Sequence, residues 1–263
     1  SWRPLAKSDQ SPCTGVYDPQ RQATVCFDGT STWSYNGADW KVLATTGTPP
    51  TLGGTMVFQS SSSCDLLLSD VDHLWKLCGT VWSAVATSGA PAGVMRLVYD
   101  SVRDLIVGFG DAGTWECDGA TWLQRAAAMS LAEFAIAFDP VRGRTVVFGG
   151  YTPTRGIPWA DTWEWDGATW TLQSRAVESS PPAGSAFTPV FDSVHGRTVT
   201  VADGEVWESE GVGWRRRATA HRPPNGPFVF DDNRGVLVLV ADDMWEFDGV
   251  DWSHHATAHT PVA

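Results

Sequence analysis

Four aspartates recur along the chain at intervals of 41, 92 and 39 residues and could bind a metal ion; they are Asp70, Asp111, Asp203 and Asp242. Carboxylate oxygens are the ligands that calcium prefers. A ring of them would favour a metal cation or a cationic partner, because like charges raise the local negative potential. Alternatively, each Asp accepts backbone hydrogen bonds within its own turn. We expect no cofactor, with calcium as the one ion that these residues would suit.

A second set of residues could bind a ligand by stacking. Tyr151, Arg155 and Trp159 lie within one ten-residue segment, which ends at Ala160. An exposed tryptophan beside a tyrosine and an arginine could stack on a sugar ring or hold a peptide. Alternatively, the segment folds over its own tryptophan. This is the principal candidate for the ligand-binding site.

Three other residues could act in catalysis: His73, His221 and Arg222. Together with Tyr151 and Arg155 they could neutralise a uronate and abstract a proton from it. The negative charge of the protein opposes an acidic polysaccharide, however, and loop histidines are commonly just solvated. No serine-hydrolase elbow, phosphate-binding loop or zinc-ligand pattern is visible. Binding is therefore favoured over catalysis, and the question of an enzyme stays open.

The elements that position these residues come from a repeat. Six times a tryptophan is followed seven residues later by another, starting at Trp33, Trp75, Trp115, Trp163, Trp207 and Trp245. Successive first tryptophans lie 42, 40, 48, 44 and 38 residues apart. A period of roughly 40 to 50 residues indicates one supersecondary unit repeated in series.

One unit reads as four antiparallel strands, here called a to d. In the fourth copy, strand a is Phe134–Phe138 and strand b is Arg144–Phe148. Strand c runs over Asp161–Trp165 with alternating character, and strand d over Thr169–Leu172. Asp166-Gly167 predicts a tight c–d turn. The first tryptophan of the pair, Trp163, is expected in the core.

Six such sheets can bury their faces by radial stacking, which predicts an all-β fold, a six-bladed β-propeller of four-stranded antiparallel blades. We expect one domain over residues 1–263, closed as a ring. The blades are expected at about 11–42, 53–84, 94–124, 132–172, 185–216 and 226–254. Residues 1–8 offer an additional d-like strand.

The chain resembles kelch-repeat propellers. Gly149-Gly150 at the end of strand b, with Trp163 on strand c and Trp170 on strand d, is similar to a kelch unit. The resemblance implies a kelch-like propeller, a fold that hosts scaffolds, lectins, lyases and oxidases, so it does not define an activity. It also implies that the b–c loops and d–a connections share one face, on which the candidate residues above would lie. The Asp-x-x-Arg a–b turns would lie opposite and are interpreted as structural.

Composition restricts the partners and the compartment. The net charge of −12 argues against nucleic acid, and no apolar run is long enough for a membrane span. Two disulfides, Cys13–Cys26 and Cys64–Cys78, with Cys117 free, would suit a secreted or periplasmic protein. Five reduced thiols in the cytoplasm are the alternative. We expect a monomer.

These patterns favour a binding module that recognises a carbohydrate or a basic protein or peptide on the b–c/d–a face. An enzyme on the same face, of the polysaccharide lyase or hydrolase type, is the main alternative. A structural or engineered repeat scaffold without a ligand is the third.

Overall fold

The protein is a six-bladed β-propeller in the computed structural model, which confirms the predicted fold class. The structure describes residues 14–50, 54–62, 64–69, 73–91, 95–129, 132–151, 161–174, 181, 189–209, 213–241 and 243–256. These residues form strands and turns without helices. Accordingly, none of them belongs to a helix that could cross a membrane.

Each blade is built from four consecutive antiparallel strands in the order a–b–c–d. Blade 1 contains β1 (Thr14–Asp18), β2 (Ala23–Phe27), β3 (Thr32–Tyr35) and β4 (Trp40–Val42). Blade 2 contains β6 (Thr55–Gln59), β7 (Cys64–Ser69), β8 (His73–Cys78) and β9 (Val81–Val85), and β5 (Thr46–Gly47) pairs in parallel with β9 at its outer edge. Blade 3 contains β10 (Met95–Asp100), β11 (Leu105–Gly110), β12 (Gly113–Cys117) and β13 (Trp122–Ala126).

The other three blades follow the same order. Blade 4 contains β14 (Ala132–Asp139), β15 (Arg144–Tyr151), β16 (Thr162–Trp165) and β17 (Trp170–Ser174). Blade 5 contains β18 (Val190–Asp192), β19 (Arg197–Ala202), β20 (Glu205–Ser209) and β21 (Arg215–Arg217). Blade 6 contains β22 (Phe228–Asp231), β23 (Val236–Val240), β24 (Met244–Phe247) and β25 (Trp252–His255).

The ring is closed by contact between blade 6 and blade 1. Every a strand contacts the a strands of the two neighbouring blades, including β22 with β1. Tyr35 and Trp40 of blade 1 pack in one apolar cluster with Val238 and Met244 of blade 6. The a strands therefore surround the channel and the d strands lie outermost. The additional strand expected at residues 1–8 lies outside the described residues.

A tryptophan on strand d fastens each blade to the blade before it. Its indole N–H donates to the first threonine of the preceding c strand in three cases: Trp82 to Thr32 at 2.9 Å, Trp170 to Thr114 at 2.8 Å and Trp214 to Thr162 at 3.2 Å. At the closing junction Trp40 donates instead to the Met244 sulfur, at 3.1 Å. Because the N–H would otherwise be buried alone, these bonds fix the seam between blades.

Two other seams lack the threonine acceptor. In blade 2, Leu74 occupies its position and packs in the same cluster as Trp122 of blade 3. Val206 occupies the threonine position in blade 5 and packs in the same cluster as Trp252 of blade 6. Trp252 is 3% exposed, and its Nε1 has no hydrogen-bond partner among the described residues. A valine offers no lone pair, which accounts for the unsatisfied indole.

The first tryptophan of the blade 4 pair is less buried than the sequence indicates. Trp163, expected in the core, is partly buried and packs on the edge of the blade 3–4 cluster. Trp165, two residues later on the same strand, is 1% exposed and lies inside that cluster. It also donates its indole N–H to Glu116 of blade 3, at 3.1 Å.

The a–b turns carry ion pairs that link turn, blade and neighbouring blade. In blade 3, Asp100 Oδ1 accepts the backbone N–H groups of Val102 and Arg103, while its Oδ2 lies 2.7 Å from Arg103 Nε. The same guanidinium reaches the buried carboxylate of Glu116 on strand c at 2.6 Å. Blades 4 and 6 repeat the arrangement through Arg142 with Asp139 and Glu164, and through Arg234 with Asp231 and Glu246.

The guanidinium groups also explain the glycine in the c–d turns. A Cβ on Gly167 of blade 4 would come within 2.5 Å of Arg103 NH1, and one on Gly37 of blade 1 within 2.9 Å of the Arg234 guanidinium. Both glycines have positive φ, 97° and 92°. Glycine thus permits the turn and admits the arginine of the preceding blade. The structural interpretation of the Asp-x-x-Arg turns fits these contacts.

The cysteines follow the expected pairing where they are described. Cys64 and Cys78 form a disulfide across the first two strands after the blade 2 a–b turn, and Cys117 is buried and free. Cys26 is disulfide-bonded. Its predicted partner, Cys13, lies outside the described residues.

Blade 2 lacks the Asp-x-x-Arg turn and carries a buried acid instead. The Asp65 side chain on β7 is fully buried, and its nearest cation is Arg21 NH2 of blade 1, at 3.6 Å. Burial and, to a smaller extent, the negative charge of Asp18 raise the pKa of Asp65, Arg21 opposes them, and the net result is a pKa of about 7. The blade 1–2 seam therefore contains an acid that titrates near neutrality.

The indole seams give a matched pair of substitutions. Thr162→Val should lower the free energy of unfolding by about 1–3 kcal/mol, because it leaves the buried Trp214 N–H without an acceptor. Val206→Thr should raise it by about 1 kcal/mol by giving Trp252 an acceptor. Chemical denaturation of both variants measures this. Equal destabilisation by the two would show that shape, not hydrogen bonding, holds these seams.

Asp65 predicts a pH dependence of stability. Its pKa in the folded state, about 7, exceeds the unfolded value of about 3.9, so the folded state binds its proton more tightly. The contribution to stability is fully present below about pH 4 and is lost as pH rises through about 7. Denaturation midpoints measured from pH 4 to 8 should fall less steeply for Asp65→Asn than for the original chain. An identical slope would contradict the assignment.

Candidate functional site

Two of the four recurring aspartates lie in the b–c turns with free carboxylates. Asp111 and Asp203 are exposed, and neither forms an ion pair or hydrogen bond with the described residues. Asp203 has a φ of 52°, a left-handed conformation that Asp tolerates better than most residues. Asp70 and Asp242 lie outside the described residues. The expected ring of four aspartates, here called the acidic collar, is thus described at two of its four positions.

The carboxylates beside the collar form hydrogen bonds or ion pairs with nearby residues. Asp28 accepts the backbone N–H groups of Thr30 and Ser31 and the indole N–H of Trp33, the last at 2.7 Å. Asp243 pairs with His254 at 2.9 Å. Asp28 therefore fits the turn-capping alternative, whereas Asp111 and Asp203 do not.

Glu205 forms ion pairs with one arginine of its own blade and with another in the connection that follows. Its carboxylate lies 3.0 Å from Arg216 and 2.5 Å from Arg222. Arg222 also packs its stem against Gly204 in the b–c turn, where a Cβ would be 3.2 Å away. Within the described part of the chain, no three His, Cys, Asp or Glu side chains come together in a way that could hold a metal ion. Calcium stays a prediction.

The structure shows local contacts for two of the three catalytic candidates. His221 Nδ1 lies 2.8 Å from Asp251, whose Oδ1 also accepts the backbone N–H groups of Ala220 and His221. This contact ties the blade 5–6 connection to the c–d hairpin of blade 6. Arg222 is held by Glu205, and His73 begins strand c of blade 2 with an exposed side chain. Each residue is placed in a different local setting.

The stacking candidates belong to the b–c segment of blade 4. Trp159 and Arg155 lie outside the described residues. Tyr151 ends β15, and its backbone pairs with Ala132, the first residue of the a strand β14. The backbone thus places Tyr151 at the b–c/d–a end of the inner strands of blade 4.

Arg96 is a functional candidate that the sequence reasoning missed. It is the second residue of β10, opposite Phe109 and one pair from Gly110, which precedes the b–c turn of blade 3. It therefore lies at the b–c/d–a end of a channel-lining strand. Alternation along the strand turns Met95 and Leu97 towards the blade 2–3 cluster and Val98 towards blade 4. Arg96 lies on the blade 4 side, with its guanidinium 6.0 Å above the ring of Phe134.

The guanidinium of Arg96 is partly buried and uncompensated. The other described arginines each bind a carboxylate or a backbone carbonyl, whereas Arg96 forms neither an ion pair nor a hydrogen bond with the described residues. Burial lowers its pKa, since a low-dielectric setting disfavours the charged form. The contact with Phe134 offsets part of this cost. No structural contact among the described residues explains why a positive charge is kept at this position.

A signal for Arg96 exists in the sequence. Counting back four residues from the end of each a strand gives Thr14, Thr55, Arg96, Ala135, Thr188 and Pro227. Arg96 is the one charged residue in this column. Aligning the inner strands, in addition to the tryptophan ladder, would have identified it.

The fold and this mouth define the class of protein: a six-bladed β-propeller with charged side chains around one end of its channel. Comparison with solved structures agrees. The chain is similar to YjhT (TM-score 0.63, 10% identity, covering 95% of this chain and 99% of that one). It is also similar to XC5397, a gluconolactonase from Xanthomonas campestris (0.59, 14%, 92% and 85%).

A third similar structure is an auxiliary nutrient binding protein from Bacteroides thetaiotaomicron (TM-score 0.58, 9% identity, covering 86% of this chain and 65% of that one). No family model matches this chain, and no curated protein does. At these identities the likeness shows the fold alone, and it extends to proteins with different named roles. The propeller is thereby established.

Replacing Arg96 should stabilise the protein. Arg96→Met keeps the apolar stem and removes a partly buried charge without a counter-ion, so the free energy of unfolding should rise by about 1 kcal/mol. Thermal and chemical denaturation measure the change. Arg103→Met, which removes an arginine that binds both the buried Asp100 and the buried Glu116, should instead destabilise by about 2–3 kcal/mol. A loss of stability in Arg96→Met would point to an ion-pair partner for Arg96.

Proposed function

We propose that this propeller is a binding module that holds a carbohydrate at the channel mouth formed by the b–c loops and d–a connections. The proposal rests on one observation: some charged side chains at this end of the propeller lack ion-pair and hydrogen-bond partners among the described residues, whereas those in the a–b turns at the other end have them. Asp111, Asp203 and Arg96 gather at this end without partners in the described structure, whereas the acids of the a–b turns are bound by backbone N–H groups and cations. Uncommitted charges of both signs suit a polar ligand with several hydroxyl groups.

The blade 4 b–c segment supports the same face. The backbone of Tyr151 lies at the mouth, and Trp159 and Arg155 follow it within eight residues along the chain. An aromatic platform beside polar groups is the combination that holds a sugar ring. Arg96, one blade away, makes a wholly basic partner less suitable at the centre of the mouth, so a carbohydrate is preferred to a basic protein or peptide.

Catalysis on this face is the less supported alternative. His221 is bound by Asp251 and Arg222 by Glu205, and each of these contacts serves the local fold. The gluconolactonase among the similar structures shares the propeller but only 14% of its residues. Loss of turnover without loss of binding in His221→Ala would favour an enzyme.

We further propose a kelch-type repeat and an oxidising compartment, as in a secreted or periplasmic protein. The repeated Trp pairs support the former. The Cys64–Cys78 disulfide and the bonded Cys26 support the latter, since disulfides persist chiefly outside the cytosol. Non-reducing peptide mapping of the protein isolated from its source would contradict this assignment if it found Cys64 as a free thiol.

The function is tested by binding of the intact chain to a broad glycan array, with calcium and with chelator. We expect selective binding that is weakened at least tenfold in Trp159→Ala, with an unchanged melting temperature. Leu123→Ala, at a 49% exposed position on the outer strand of blade 3, is the matched control and should bind normally. A blank array would reject the carbohydrate, and loss of binding with chelator would assign the acidic collar to calcium.

A further inference from the structure

Arg96 has the position and chemistry of an anion-binding residue. A guanidinium presents five N–H donors in a planar fork that matches a carboxylate with two parallel hydrogen bonds. None of these N–H groups donates a hydrogen bond to the described residues, and Arg96 is partly exposed at the channel mouth. The donors are therefore available to a ligand that enters from the b–c/d–a face.

The setting of Arg96 strengthens such a contact. The Phe134 ring lies beneath the guanidinium at 6.0 Å and is itself 7% exposed, so that side of the guanidinium faces a buried apolar ring. An ion pair gains strength where the surroundings are less polar than water. A ligand carboxylate would also supply the counter-ion that the fold does not.

The charge of the whole protein limits the size of the anion. The net charge is −12, and Asp111 lies in the b–c turn of the same blade. A polyanion would meet repulsion over its length, whereas a single carboxylate at Arg96 would not extend into that field. A phosphate dianion would be repelled more strongly than a carboxylate.

We propose that Arg96 binds the carboxylate of a small acidic sugar, with the remainder of the sugar lying towards the inner end of blade 4. The inference rests on the proposed carbohydrate-binding mouth and narrows its ligand class. It places the acid group between blades 3 and 4, beside the strand end at which Tyr151 lies.

The test uses pairs of sugars that differ only in the acid group. Titration calorimetry on the intact chain compares glucuronate with glucose, and galacturonate with galactose, and includes glucose 6-phosphate. We expect at least one acidic sugar to bind tenfold or more tightly than its neutral counterpart. Arg96→Met should abolish that preference and Arg96→Lys should keep part of it, because the ammonium retains the charge but not the fork.

Lys41→Met is the matched control. Lys41 is exposed on the outer strand β4, so its loss changes the net charge equally but leaves the mouth intact. It should preserve the preference for acid. Melting curves of all three variants establish that each is folded.

The outcomes separate the two proposals. Equal binding of acidic and neutral sugars would overturn the role of Arg96 and leave the carbohydrate-binding mouth in place. Tighter binding of glucose 6-phosphate than of either uronate would replace the carboxylate with a phosphate. Failure of every sugar, acidic and neutral, to bind would reject the proposed function together with this inference.

Discussion

The structure depends on one constraint: each blade can bury its apolar faces only against the two neighbouring blades. A four-stranded sheet has two faces, and a blade can bury both only between the blades before and after it. The seams are fixed by directional contacts: an indole N–H of strand d donates to the preceding c strand, and an arginine of an a–b turn lies on the next c–d glycine. At the last junction Trp40 and Arg234 make the same contacts, so closure repeats the rule that builds the ring.

As a result, the charged residues at the two ends of the propeller have different roles. The a–b turns use their aspartates and arginines to cap turns, reach buried glutamates and contact the next blade. These groups are consequently unavailable for a ligand. The b–c turns are less uniform: Asp28 caps its own turn, whereas Asp111 and Asp203 are exposed. At the same end of the blades, Arg96 has no counter-ion among the described residues. Function is thus expected where the architecture makes the fewest demands, as in other proteins whose loops rest on a rigid scaffold.

The departures from the repeat have local causes. Blade 2 lacks the Asp-x-x-Arg turn, and the buried Asp65 approaches Arg21 of blade 1 instead. Blade 5 places His195 where arginine is usual, and Arg197 takes over the pairing with Asp192 and Glu208. Val206 leaves the Trp252 indole unsatisfied. Each departure is confined to one seam, because the blades contact only their neighbours.

The sequence by itself determined the architecture: the spacing of the tryptophans, the Asp-Gly turns and the alternating strands predicted six four-stranded blades, and the structure has them. It also paired Cys64 with Cys78 as one of two alternatives, and the structure has that bridge. It could not show which charged residues are available to a ligand, because the residue type does not reveal whether a carboxylate or guanidinium has a partner in the folded protein. Only the tertiary structure separated Asp111 from Asp28, held His221 against Asp251 and placed Arg96 above Phe134 with no ion pair to the described residues. The partners that decide these roles lie far along the chain: Asp251 is 30 residues from His221, and Phe134 is 38 residues from Arg96. A local pattern does not contain them.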